Sequence, residues 1–82
     1  MIPRIREIEP RENYKLFICF DNDSKVLYDV KDDIEHIDAF KPLKSMPGLF
    51  NSVRLDESRT CVYWNDEIDL PSDTLLEYGE RV

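Results

Sequence analysis

Tyr14-Lys15-Leu16-Phe17-Ile18-Cys19-Phe20-Asp21-Asn22-Asp23-Ser24-Lys25-Val26-Leu27-Tyr28-Asp29-Val30 reads as two strands joined by a turn. Tyr14, Leu16, Ile18 and Phe20 recur at every second position, so an extended chain places them on one face. Phe17 and Cys19 put apolar atoms on the other face as well, which predicts a central strand with cover on both sides. Asp21-Asn22-Asp23-Ser24 concentrates turn formers. Val26, Tyr28 and Val30 then resume the alternation, and an antiparallel hairpin is expected. The acidic turn is not expected to bind calcium. Lys25 and Val26 stand where an EF-hand loop needs an acid or amide followed by glycine.

Upstream, Ile2 to Glu9 is bracketed by Pro3 and Pro10, and its isoleucines at 2, 5 and 8 fit neither strict alternation nor a helical stripe. An edge strand is expected, because Pro3 cannot donate to a ladder. Arg11-Glu12-Asn13 reads as a polar turn. Downstream, Val30, Ile34, Ile37 and Phe40 fall near one helical face, and Asp29, Asp32 and Asp33 suit the positive end of a helix macrodipole. This helix should end before Pro42. Ser45 is placed to cap a second short helical turn through Pro47, Leu49 and Phe50. Ser52 to Leu55 and Thr60 to Trp64 flank the polar turn Asp56-Glu57-Ser58-Arg59 as a second hairpin, and Ile68-Asp69-Leu70 adds a short extended segment. Pro71 suits a first helical position and Gly79 a C-terminal stop, with Leu75, Leu76 and Tyr78 docking between them. The expected order is β-β-β-α-α-β-β-α. That is an α+β fold, a small antiparallel sheet from two hairpins with short helices packed on it, in one domain over residues 1–82.

The chain has 82 residues, with 11 Lys and Arg against 18 Asp and Glu, for a formal charge of −7. A chain this short hides roughly 60–65% of its unfolded surface, which supports one thin core. The negative balance disfavours nucleic acid and anionic membranes, both of which repel it. The apolar run Leu16-Phe17-Ile18-Cys19-Phe20 is far shorter than the roughly 20 residues of a membrane span. Met1-Ile2-Pro3-Arg4-Ile5-Arg6-Glu7 has no apolar h-region, so no secretory signal and a cytoplasmic location are expected. Cys19 and Cys61 each lie inside an apolar run, and the expectation is two buried free thiols in a reducing compartment.

Val53-Arg54-Leu55, Val62-Tyr63-Trp64-Asn65 and Ile68-Asp69-Leu70-Pro71-Ser72-Asp73-Thr74-Leu75 together resemble the signature of a small prokaryotic family, domain of unknown function 2442. Pro3-Arg4-Ile5, Tyr14-Lys15-Leu16, Phe20-Asp21-Asn22, Tyr28-Asp29-Val30, Phe40-Lys41-Pro42-Leu43 and Leu49-Phe50 fit the same pattern. The resemblance implies a compact α+β domain, found alone or fused to a DNA-binding module. It also implies a bacterial protein whose gene neighbours suggest a toxin–antitoxin pair, and it carries over no catalytic residues. The family's turn after the tryptophan often holds Asn-Gly, whereas Asn65 is followed here by Asp66 and Glu67.

The sequence contains no GxSxG, HExxH or Gly-rich phosphate loop, and its lone histidine, His36, reads as a solvated helix residue. No catalytic set, cofactor or metal site is expected. The leading expectation is a non-catalytic protein-binding module with an acidic surface for a basic partner, antitoxin-like on the strength of the resemblance. Asp29, Asp32, Asp33, Glu35 and Asp38 would steer that partner, and Tyr63 or Trp64 would anchor it, since aromatics set the lifetime of such complexes. Tyr63 and Trp64 point to opposite faces, so one of them should lie near the surface. Two alternatives are a homodimer paired through the N-terminal edge strand and a small enzyme holding Mg²⁺ on the acidic cluster.

Overall fold

A computed structural model describes residues 2–82; Met1, at the head of the N-terminal stretch read above, lies outside them. The strands are β1 (Ile5–Arg11), β2 (Lys15–Phe20), β3 (Lys25–Asp29), β4 (Arg54–Leu55), β5 (Cys61–Asn65), β6 (Ile68–Pro71) and β7 (Glu80–Arg81). The helices are α1 (Val30–His36), α2 (Pro42–Ser45) and α3 (Ser72–Tyr78). The α+β class and the element order match the sequence reading, with β6 as the short extended segment and β7 added after α3. The two hairpins build separate antiparallel sheets, ordered β1-β2-β3-β7 and β4-β5-β6.

β2 is central, as the two-faced apolar pattern implies, and β1 is an edge; it runs from Ile5 to Arg11 rather than from Ile2 to Glu9, so Pro3 stands outside the ladder and Pro10 within it. The inner face of the first sheet pairs Leu16 with Tyr28 and Ile18 with Val26. A β-bulge between Ile5 and Glu7 explains the odd isoleucine spacing of β1. The extra residue, Arg6, lets Ile5 and Ile8 both face the core although they are three apart. The outer face of β2 is covered by arginines rather than by another layer. Arg6 Nη2 donates to Cys19 Sγ at 3.0 Å and to Asp23 Oδ1 at 2.7 Å. The Arg11 guanidinium lies 4.8 Å over the Phe17 ring. Their aliphatic stems shield apolar surface while the charges stay in water.

With only two glycines, the hairpin turns use other residues for the left-handed conformation. Asn13, Tyr14, Asp23 and Arg59 all have φ between 59° and 69°. Asn and Asp tolerate that region, whereas for Tyr14 it costs about 1–2 kcal/mol. Tyr14 therefore sits in the β1–β2 turn rather than at the head of β2, with its ring edge-on to Phe50 at 5.4 Å. The β5–β6 turn closes without a glycine, because Asn65 Oδ1 accepts from the backbone N–H of Glu67 (2.8 Å) and of Ile68 (3.0 Å).

The helical region departs from the sequence reading in three places. Asp29 caps α1, accepting from Lys31 N–H at 3.0 Å, but α1 stops at His36. Ile37 is extended (φ −120°, ψ 113°) and exposed, so the apolar stripe breaks there; a 3₁₀ turn at Asp38–Phe40 buries Phe40 instead. The second helix begins at Pro42 and ends at Ser45, because proline at a helix start loses only an N–H that has no partner there anyway. Tyr78, expected to dock, is exposed at the end of α3.

One core joins both sheets. Leu16, Ile18, Phe20 and Val26 meet Val62, Trp64, Ile68 and Leu70, with Val30, Ile34, Phe40, Leu43, Phe50 and Leu75 from the helical segments closing it. Arg59 clips the sheets together at one corner. Its carbonyl accepts from Ile5 N–H at 2.6 Å, and its Nη1 donates to Asp21 Oδ1 at 2.8 Å. Ser72, fully buried, donates to the Pro3 carbonyl at 2.6 Å.

Candidate functional site

The five acids expected to steer a partner hold unequal positions. Asp29 is occupied as the cap of α1. Asp33 is half-buried and accepts the Tyr28 hydroxyl at 2.6 Å; burial and this bond together push the Tyr28 phenol well above its ordinary range. Asp32 lies 3.4 Å from His36 Nδ1, and Asp38 lies 4.0 Å from Lys41 Nζ. Glu35 is exposed beside a shallow groove shared with Ile34, Lys41, Lys44 and Ser45. The acids of this segment thus stand among lysines that dilute their field.

His36 serves its own helix. Nδ1 meets the Asp32 carbonyl at 2.8 Å, and this bond and the Asp32 charge raise its pKa. A group whose folded-state pKa is raised contributes stability that is complete below the unfolded value, about 6.5, and is lost as pH rises through the folded value. We expect the His36 ring-proton NMR midpoint to lie above that of the urea-unfolded chain, and Asp32→Asn to lower it part of the way. A midpoint at or below the unfolded one would contradict the geometry.

Trp64 and Tyr63 separate as adjacent strand residues must. Trp64 is inside, with 7% of its surface exposed. Its Nε1 donates to the Phe50 carbonyl at 2.9 Å, and its ring stacks on Phe50 (5.9 Å, 25°) and meets Phe40 edge-on (6.4 Å). It is a core anchor, so the exposed-anchor role expected of one of the pair falls away for Trp64. Tyr63 lies half-buried on the outer face of the second sheet. The β ladders place it between Arg54 on β4 and Asp69 on β6.

Beside Tyr63 runs an open groove of about 340 Å³ lined by Asp56, Cys61, Asn65, Asp66 and Asp69. The structure does not bring the α1 acids into this groove; three other carboxylates share it with the tyrosine. Sequence reasoning missed Asp56, Asp66 and Asp69 because they come from two turns and a strand. The available signal was alternation in β6, where Ile68 and Leu70 face inward and so send Asp69 outward. The Cys61 thiol is pushed up by burial and by the charges of Asp69 and Asp56, which makes it a poor nucleophile. Cys19 is buried and Cys61 half-buried, and both are free thiols.

Two larger hollows flank the core. One of about 610 Å³ is lined by Ile2, Pro3, Phe20, Asp21 and Thr60, with the Asp21 carboxylate held by Arg59. The other, about 490 Å³, lies between the β1–β2 turn and the Met46-Pro47-Gly48 segment. Among the described residues, no three His, Cys, Asp or Glu side chains converge as a metal ion would require. No helix among them is long and apolar enough to cross a membrane.

These features define a two-sheet α+β domain with one core and a carboxylate-rimmed outer sheet face. Residues 5–81 match the model of a family described as "Protein of unknown function (DUF2442)", and the chain belongs to that family. No curated protein and no solved structure matches this chain.

Proposed function

We propose that this protein is a non-catalytic protein-binding module whose acidic surface receives a basic partner. The observation that carries this reading is the state of its charges. The ion pairs of Arg6–Asp23, Arg11–Glu9, His36–Asp32, Lys41–Asp38 and Arg59–Asp21 engage only a minority of the 18 carboxylates. The remainder, on a small surface with a net charge of −7, project a field that speeds encounter with a cationic partner and rejects anionic ones. An antitoxin-like form of this reading, with a small basic nuclease-like toxin as partner, is supported by the family resemblance.

The test is retention of short peptides of graded charge on the immobilised protein at low and at physiological salt. Retention should rise with positive charge and weaken as salt screens it. Retention that ignores peptide charge would end the proposal. Self-association is a second reading, favoured by the terminal position of β1 in its sheet, where beyond Ile5, which bonds Arg59, no further strand among the described residues pairs with it. A sedimentation coefficient that stays at the monomer value over all concentrations would remove it.

A further inference from the structure

We infer that the outer face of β4, β5 and β6 is where the basic partner docks, and that it takes an extended arginine-bearing segment with a guanidinium laid on Tyr63 and bonded to Asp69. This inference rests on the reading of the protein as a module for a basic partner and assigns its surface.

The two sheets treat their outer faces differently. The first covers its apolar residues with its own arginines, Arg6 on Cys19 and Arg11 over Phe17. The second has nothing comparable: Tyr63 and Cys61 stay partly exposed, and Arg54, directly opposite Tyr63 on β4, does not lie over its ring. The face therefore offers an aromatic surface without the cation that caps its counterpart in the other sheet.

The groove that Tyr63 lines carries charge of one sign, from Asp56, Asp66 and Asp69, with no basic side chain among the described residues of its lining. Asp66 and Asp69 have no cation within 4.0 Å among the described residues, and the Asp56 carboxylate accepts only from the Ser58 hydroxyl. Asp69 is the cross-strand partner of Tyr63, so their Cβ atoms lie about 5 Å apart. A planar group resting on the ring then reaches the Asp69 carboxylate without moving the backbone. A guanidinium suits this better than an ammonium, because it stacks on the ring and forks onto a carboxylate in one geometry. Arg54, on the opposite flank, repels a second cation there and so orients the incoming segment toward Asp69 and Asp66. Half-burial of Tyr63 restricts its rotamers before binding, which lowers the ordering cost.

The acids of α1 lack this combination. Asp29 and Asp33 are engaged within the fold, and Lys41 and Lys44 stand beside Glu35. Net charge draws a partner to the whole surface, but the Tyr63 face holds the aromatic and the unpaired carboxylates together.

The test uses the full chain, ¹⁵N-labelled, titrated with a synthetic peptide of alternating arginine and threonine, its lysine counterpart and its glutamate counterpart. The largest amide shifts are expected at Cys61, Tyr63, Asn65 and Asp69, with the arginine peptide binding more tightly than the lysine one. Asp69→Asn should weaken the arginine peptide about tenfold, one charge-assisted bond's worth. Asp32→Asn, the same charge change on α1, should leave affinity within about twofold, as expected of a screened distant charge. Tyr63→Leu should abolish the preference for arginine over lysine while the thermal melt stays cooperative. Shifts centred on α1, or equal losses from Asp32→Asn and Asp69→Asn, would overturn this surface and leave the basic-partner reading standing. Failure of both cationic peptides to bind would remove this surface and the basic-partner reading together.

Discussion

Replacing Trp64 with alanine is expected to remove about 3–5 kcal/mol of stability, the range for deleting a large buried aromatic. The 82-residue chain has about 4–12 kcal/mol in total at the usual stability per residue, so the variant should lose about a quarter of its stability or more and unfold at a clearly lower urea concentration. Three losses coincide. The stack with Phe50 and the edge contact with Phe40 disappear, and both rings belong to the same core. The Phe50 carbonyl also loses the indole donor that reached it at 2.9 Å. Trp64→Phe separates these effects: it keeps an aromatic ring and forfeits the hydrogen bond, for about 1–3 kcal/mol. Because Trp64 is the sole tryptophan, unfolding in urea should be followed by far-ultraviolet circular dichroism rather than by fluorescence. An alanine variant within about 1 kcal/mol of the parent would show that Trp64 does not tie the 3₁₀ turn at Phe50–Ser52 to the second sheet.

Gly79→Ala should cost about 2–3 kcal/mol, although its backbone (φ −73°, ψ 153°) is one that alanine adopts freely. Space is the obstacle. A Cβ at Gly79 would collide with the Leu75 carbonyl oxygen and come within 3.0 Å of Val26 Cβ. Neither neighbour is a flexible chain end: one is backbone of α3 and the other a fully buried β-branched residue of β3. The same Leu75 carbonyl accepts the Gly79 N–H at 2.9 Å to end the helix, so relief of the clash breaks that bond. It also lifts β7 from β3, where Val26 pairs with Arg81 and Leu27 with Glu80. Gly48 is the control. At φ +82° with open space around it, alanine there meets only the left-handed penalty of about 1 kcal/mol. Thermal melts of the two variants should rank Gly79→Ala as clearly the less stable, with early hydrogen exchange at the β7 amides. The opposite ranking would refute the packing argument.

The candidate site was less legible than the fold. The acids at Asp29, Asp32, Asp33, Glu35 and Asp38 stand out because they crowd one short stretch of chain. Proximity in sequence made them conspicuous, but folding spends Asp29 on a helix cap and Asp33 on the Tyr28 hydroxyl. Asp56, Asp66 and Asp69 are scattered over fourteen positions and converge only because β4, β5 and β6 lie side by side. His36 was readable as an exposed residue of α1, but its contact with the Asp32 carbonyl and the closure of the β5–β6 turn by the Asn65 side chain emerged only with the structure.

The chain alone determined the features whose causes are local. Side-chain alternation set β2 and β3, Asp29 set the start of α1, and the clustered turn formers set the hairpins. Tertiary structure decided whatever depends on the far side of a strand. The bulge at Arg6 turns Ile5 and Ile8 the same way because the core demands both. Trp64 rather than Tyr63 points inward because Phe40 and Phe50, brought from the helical region, wait on that side. Alternation says that two neighbours face opposite ways. Which of the two ways is inside is settled only when a second layer arrives from a distant part of the chain, since burying apolar area requires something to bury it against.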